Sequence, residues 1–256
     1  MEPSPDLARL GGLAWARRTN GALTAAERRR LVAAIVAGQW DYLLGRTKLL
    51  LGHVPAGAAA VDVAAFSAPD TALAREAEAA CEEQPAWMVR HSYRTWLFGG
   101  MLAALDRVRL DDEQFYCAAL LHDHGIATTV PGQDFTLRSA DRVLACVARA
   151  GADGSVGELI ADAVCVHTTP GVTVERDGAV GCYVQAGAMV DGGLRLADIA
   201  PRNREAVLAR HPRGAGFKDE LASTIAREAR AVPAGRFALL SKLGFRLLIR
   251  LAPLRD

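Results

Sequence analysis

The sequence predicts an all-α protein, a helical bundle with an N-terminal helical extension, and three observations carry that prediction. Apolar residues recur at steps of three and four through most of the 256-residue chain. Helix-start signals precede several of those segments. The one β-like stretch, "GVTVERDG" at 171–178, is too short and too isolated to build a sheet.

The elements follow in order. Thr24 and Glu27 have the spacing of a capping box at the start of "TAAERRRLVAAIVAGQWDYLLG". "GHVPAGAAAVDVAAFSAP" at 52–69 lacks a sustained period and reads as a connector, so residues 1–67 form the extension and 68–256 the main domain. Asp70 is placed to cap "TALAREAEAACEE", and Pro85 restarts the chain. Further helices are expected near 86–107, 112–124, 138–150, 155–168, 180–196, 202–210 and 216–230. In "RFALLSKLGFRLLIRLAPL", Lys242, Arg246 and Arg250 repeat opposite an apolar face made of Phe237, Leu240, Gly244, Leu247, Leu248 and Leu251. Such a basic amphipathic helix can lie on an anionic membrane. Docking on the domain or on a second subunit is the preferred reading, which leaves homo-oligomerisation open.

Composition narrows the function classes. A hydrophobic content of 51% supports a sizeable core. The 30 basic and 29 acidic residues are scattered and nearly balanced, so no footprint for a nucleic-acid backbone appears. "MEPSPDLARLGG" lacks a signal-peptide pattern, and no apolar run approaches the roughly 18 residues of a membrane span. The expectation is a cytoplasmic protein with no integral-membrane segment. Five cysteines without a C-x-x-C pair (Cys81, Cys117, Cys146, Cys165, Cys182) read as small apolar core residues.

Chemistry concentrates in "CAALLHDHGIA", where an apolar helix ends in His122, Asp123 and His124. A polar helix end with Gly125 as a cap is one account, and a metal site is another. The periodicity favours the metal. Met88, His91, Thr95, Phe98, Leu102 and Leu105 form one stripe. Phe115, Ala118, Ala119 and His122 form a second, Ile160, Ala163, Val164 and His167 a third, and Val184, Gly187, Ala188 and Asp191 a fourth. Four helices thus each aim a metal-competent side chain inward, with Asp123 beside one of them. Buried imidazoles and carboxylates need a partner, and bundle cores hold metals in this way. His124 reads as a solvated helix-end histidine, and His53 and His211 are assigned no role. Two or three imidazoles with carboxylates suit Zn²⁺, and Fe²⁺ accepts the same donors. One divalent transition-metal ion is expected. Arg94, three residues beyond His91, is placed either at a pocket mouth or in an ion pair with Glu82 or Glu83.

The order His91, His122-Asp123, Asp191 resembles the H...HD...D signature of the HD-domain superfamily of metal-dependent hydrolases. The wording "HSYRTWLFG", "CAALLHDHGI", "VHTTPG" and "QAGAMVDGGLR" is similar to its cyanamide hydratase branch, over residues 68–235. The resemblance implies an all-helical fold and an ion held by His91, His122, Asp123 and Asp191. It implies that His167 borders the substrate and assists proton transfer. The implied reaction is hydrolysis or hydration of a small polar molecule with a carbon–nitrogen bond. Two departures stand out. His124 follows the HD pair where relatives read "HDLG", and "FTLRSA" replaces "FEVxGA", putting Thr136 at the position of an acidic residue that contacts substrate or supports a ligand, and Ser139 at a glycine. The loss of the acidic residue at Thr136 keeps open a catalytically silent metal-stabilised binding protein, and an iron-dependent oxygenase on the same scaffold is a third reading.

Overall fold

In a computed structural model the described residues, 9–256, contain thirteen α-helices and no strand. Residues 1–8, on which much of the signal-peptide reading rests, lie outside the described residues. The helices are α1 (Leu13–Thr19), α2 (Ala25–Leu50), α3 (Ala72–Glu82), α4 (Ala86–Asp106), α5 (Asp112–Leu121), α6 (Phe135–Ala150) and α7 (Gly154–Val166). They continue with α8 (Val174–Asp177), α9 (Ala179–Asp191), α10 (Pro201–Arg210), α11 (Phe217–Ala231), α12 (Arg236–Lys242) and α13 (Phe245–Arg250). None is long and apolar enough to cross a membrane.

The local signals behave as their chemistry dictates. Thr24 and Glu27 form the full capping box of α2. Thr71, one residue past the expected Asp70, caps α3 by accepting from the Ala74 amide. Asp111 caps α5, with Asp112 and Glu113 favouring the positive end of the helix dipole. Asp153 caps α7. Helix α6 starts at Phe135 rather than 138, because the Asp134 carboxylate accepts from the Thr136 amide and sets the first turn three residues earlier. The β-like stretch contains the single helical turn α8, closed by the Thr173 hydroxyl.

Two other expectations are corrected. Leu13–Thr19 is helical although no helix was expected there, and Trp15 and Ala16 on it are buried. The C-terminal stretch is two short helices rather than one. Gly244, with φ +89°, takes the left-handed conformation between α12 and α13, so the single basic amphipathic face does not form. Of its apolar residues, Phe237, Leu240 and Leu248 line a cavity while Leu247 and Leu251 are exposed. Arg250 pairs with Asp219, and the segment docks on the domain through bonds such as Gln39 Nε2 to the Leu243 carbonyl at 2.6 Å.

Two smaller hydrophobic clusters gather around Phe217 and Phe135, and the largest hydrophobic core includes residues of the N-terminal extension, among them Leu13, Trp15, Leu31 and Ile35. Helices α4 and α9 are its central antiparallel pair. Gly187 lies against the Thr95 carbonyl and Gly99 so closely that an added Cβ would sit 2.1 Å from that carbonyl oxygen. Only glycine allows this approach. One turn beyond Gly187 is Asp191, and one turn before Thr95 is His91, so the crossing brings the two side chains face to face.

Candidate metal centre

His91 projects from α4, His122 and Asp123 from the end of α5, and His167 from the end of α7. All four are buried. The donor atoms of His91, His122 and Asp123 lie within 4.8 Å of one another. His122 Nε2 is 3.3 Å and His91 Nε2 3.7 Å from Asp123 Oδ2, and His167 Nε2 is 3.4 Å from Asp123 Oδ1. Donors on one tetrahedral ion with bonds of about 2.0–2.1 Å stand about 3.3–3.4 Å apart.

The hydrogen bonds on the far side of each ring decide which nitrogen faces inward. His122 Nδ1 donates to the Ala119 carbonyl at 2.8 Å, and His167 Nδ1 donates to the Val164 carbonyl at 2.5 Å. A carbonyl can only accept, so in each neutral ring Nδ1 carries the hydrogen and Nε2 is a lone pair. His91 Nδ1 donates to Asp191 Oδ2 at 2.6 Å, with the same outcome. Three lone pairs therefore point at a carboxylate, and no donor lies among them. His122 Nε2 is buried without a hydrogen-bond partner, an orphan that a cation satisfies.

Electrostatics favours neutral rings at His91 and His167 and draws positive charge toward His122, beside the Asp123 anion. Burial pushes the His91 and His167 pKa values down despite the neighbouring aspartates. Burial also disfavours protonated His122, but the Asp123 charge outweighs it and raises that ring. For Asp123, burial favours the neutral acid, and the charges and hydrogen bonds of His122 and His167 outweigh it, holding the carboxyl well below its usual range. A buried His-His-Asp group that can bind a metal ion is present, and His167 flanks it.

Asp191 stands apart from this group. Its oxygens are taken by Arg94 Nε at 3.0 and 2.9 Å and Arg94 Nη2 at 2.7 Å, besides His91. Arg213 reinforces the arrangement by donating to the Asp191 carbonyl at 3.0 Å. Both guanidiniums sit over the Phe217 ring, at 4.8 and 4.5 Å. Burial raises the Asp191 carboxyl, but Arg94, His91 and Arg213 together drive it far below its usual value. Asp191 thus orients His91 from behind. Arg94 is fully buried against it, neither at a pocket mouth nor paired with Glu82 or Glu83. The sequence offered no sign of Arg213, which sits in an aperiodic loop.

Thr136 does not face the site either. Its hydroxyl donates to Asp134 at 2.8 Å and accepts from Arg236 at 3.0 Å, within a buried Arg236–Asp134 ion pair at 2.9 Å. Ser139 accepts from the Gly125 amide at 2.8 Å. Gly125 itself passes so close to α6 that a Cβ there would lie 2.2 Å from the Phe135 carbonyl oxygen, so the turn after Asp123 requires glycine. His124 points away from the group and lies 3.5 Å from Glu83.

A cavity of about 180 Å³ opens onto His91, Asp123 and His167. Its other walls come from α2, α9, α11, α12 and α13. No family model matches the chain, and no curated protein matches it.

Proposed function

We propose that the chain is a metal-dependent hydrolase or hydratase of the HD-domain type, acting on a small molecule bound in this cavity. The observation that carries the reading is the convergence of three imidazole lone pairs on Asp123 at one end of an open cavity. A metal kept only for stability needs no such opening, which favours a site that receives a small molecule, and turnover of that molecule separates an enzyme from a silent binding protein. His91, His122 and Asp123 would hold the ion, and the donor set suits zinc. Bound there, such an ion supplies Lewis acidity and a water acidified toward neutral pH.

The protein groups have separable tasks. Asp191, clamped by Arg94 and Arg213, keeps His91 Nδ1 protonated so that its lone pair faces inward. His167 lines the cavity, is neutral, and has Nδ1 committed to Val164. Its Nε2 is then free to take a proton from the attacking water and return it to the leaving or newly formed nitrogen or oxygen. The Asp123 carboxylate beside it stabilises the imidazolium formed in between. The cysteines among the described residues are all free, which fits a reducing compartment such as the cytoplasm.

Elemental analysis of protein purified without added metal tests the first half of the proposal. About one equivalent of a divalent transition metal per chain is expected, and no binding at micromolar free zinc would refute it. Hydrolysis or hydration within a panel of nitriles, amides and esters, lost with a chelator and restored with zinc, tests the second half.

A further inference from the structure

We infer that the substrate is an uncharged compound whose reacting group carries an apolar body about the size of one ring, held by the cavity beside His91, Asp123 and His167. This rests on the metal-dependent reading above and narrows its substrate class. The titratable side chains of the cavity are His91, Asp123 and His167. Its apolar walls include Ile35, Met189, Ile225, Phe237, Leu240 and Leu248. No lysine or arginine lines it, and Asp123 is its one carboxylate among the described residues.

Among the described residues three other polar side chains line the cavity, Gln39, Thr168 and Gln185; the Thr168 hydroxyl is buried without a partner, and the two amide nitrogens are committed elsewhere. Gln39 Nε2 donates to the Leu243 carbonyl, and Gln185 Nε2 donates to the carbonyls of His167 and Thr169 at 2.6 and 2.8 Å. The guanidiniums of Arg94 and Arg213 are buried against Asp191, and that of Arg236 against Asp134. A phosphate or sulfate ester entering this cavity would meet no side-chain cation of the protein, and a sugar would leave most of its hydroxyls unpaired against hydrocarbon. An apolar body gains by leaving water. The volume sets its size. An apolar cavity of about 150 Å³ holds benzene, so about 180 Å³ takes one ring with one or two further atoms. The outer wall is supplied by α2 and by α12 and α13, so the extension and the C-terminal segment are parts of the substrate site rather than appendages.

The probes are benzohydroxamate and acetohydroxamate, which share a metal-binding head and differ in phenyl against methyl, and toluene, which needs no metal. A single methylene in a hydrophobic pocket is worth about 10- to 200-fold. Zinc-loaded protein should therefore bind benzohydroxamate at least about 100-fold more tightly than acetohydroxamate. In Gly38→Leu the preference should vanish while zinc content and acetohydroxamate affinity stay. Gly38 lines the cavity, a Cβ there meets nothing within 4 Å, and leucine favours a helix over glycine, so bulk added there is expected to narrow the cavity without breaking α2. Should that variant fail to fold, Ala188→Leu, from α9, replaces it in the same measurement. Equal affinities for the two hydroxamates in zinc-loaded wild type, or a preference that survives a folded filling variant, would overturn the inference. If the protein binds no zinc, the metal reading fails by itself, and the cavity is judged by toluene. A raised unfolding midpoint in metal-free wild type and none in the filled variant supports an apolar site, and no shift in wild type overturns it.

Discussion

Asp191 Oδ2 lies 2.6 Å from His91 Nδ1, joining residues 100 apart in sequence. This carboxylate cannot serve as a bidentate metal ligand in this arrangement, because Arg94 occupies both oxygens. Its effect on the centre runs through the imidazole, whose ring plane and tautomer it sets. Loss of such an orienting group typically costs about 10- to 100-fold in metal affinity, whereas loss of a donor removes the site.

Chelator-competition titration separates these roles. His122→Ala and Asp123→Ala should retain no stoichiometric metal, and Asp191→Asn should retain metal with affinity weakened about 10- to 100-fold. Should Asp191→Asn lose the ion as completely as Asp123→Ala, Asp191 is itself a ligand.

His167→Ala separates ligand from acid–base group. With His91, His122 and Asp123 as donors, the variant should keep its metal while turnover falls by about 10²- to 10⁴-fold. Metal content and rate are measured on the same preparation once a substrate is found. Lost metal would make His167 a ligand, and an unchanged rate with metal intact would make it a structural histidine.

The Arg236–Asp134 pair is buried, and Arg236 also donates to the Cys165 carbonyl at 2.7 Å and the Thr169 hydroxyl at 2.9 Å. Arg236→Leu leaves a buried carboxylate unpaired and should cost about 3–5 kcal/mol in urea unfolding. Arg236→Leu with Asp134→Leu should recover part of that loss, since no charge then remains stranded. Equal destabilisation of the single and double variants would show that packing, not charge, governs the site.

His211 stacks on Tyr93 with ring centroids 4.9 Å apart, and burial, together with Arg210 and Arg94, lowers its pKa from 6.5 to about 4. The folded state therefore prefers the neutral ring. Its contribution is fully present above about pH 6.5 and is lost as the pH falls toward 4, where the unfolded chain binds a proton that the folded chain refuses. His211→Phe keeps the stack and removes the titration, so its unfolding midpoint should fall less steeply than wild type between pH 6.5 and 4. Parallel curves would exclude His211 as a source of acid lability.

Much of this molecule is local in origin. The apolar stripes that carry His91, His122, His167 and Asp191 are buried apart from the half-buried Leu105 and Ala188, because three-to-four spacing puts residues on one face of a helix. Caps such as Thr24 and Asp111 are equally local, since a side chain reaches only the first free amides of its own helix. Where a buried side chain points within the site is a different matter. Asp191 and Asp123 look equivalent as inward carboxylates, and only the Gly187–Thr95 crossing and the buried Arg94 and Arg213 turn one into a support for His91 while leaving the other among the imidazoles. Thr136 and Arg94 went astray for the same reason, because a partner such as Arg236 or Asp191 lies about 100 residues away and leaves no periodic trace. The sequence by itself determined the helices, their buried faces and the residue types able to bind a metal, all properties of short-range geometry. The tertiary structure alone decided which donors converge, which guanidiniums are spent on them and what the cavity can hold, because those depend on distances between helices that neither propensity nor period encodes.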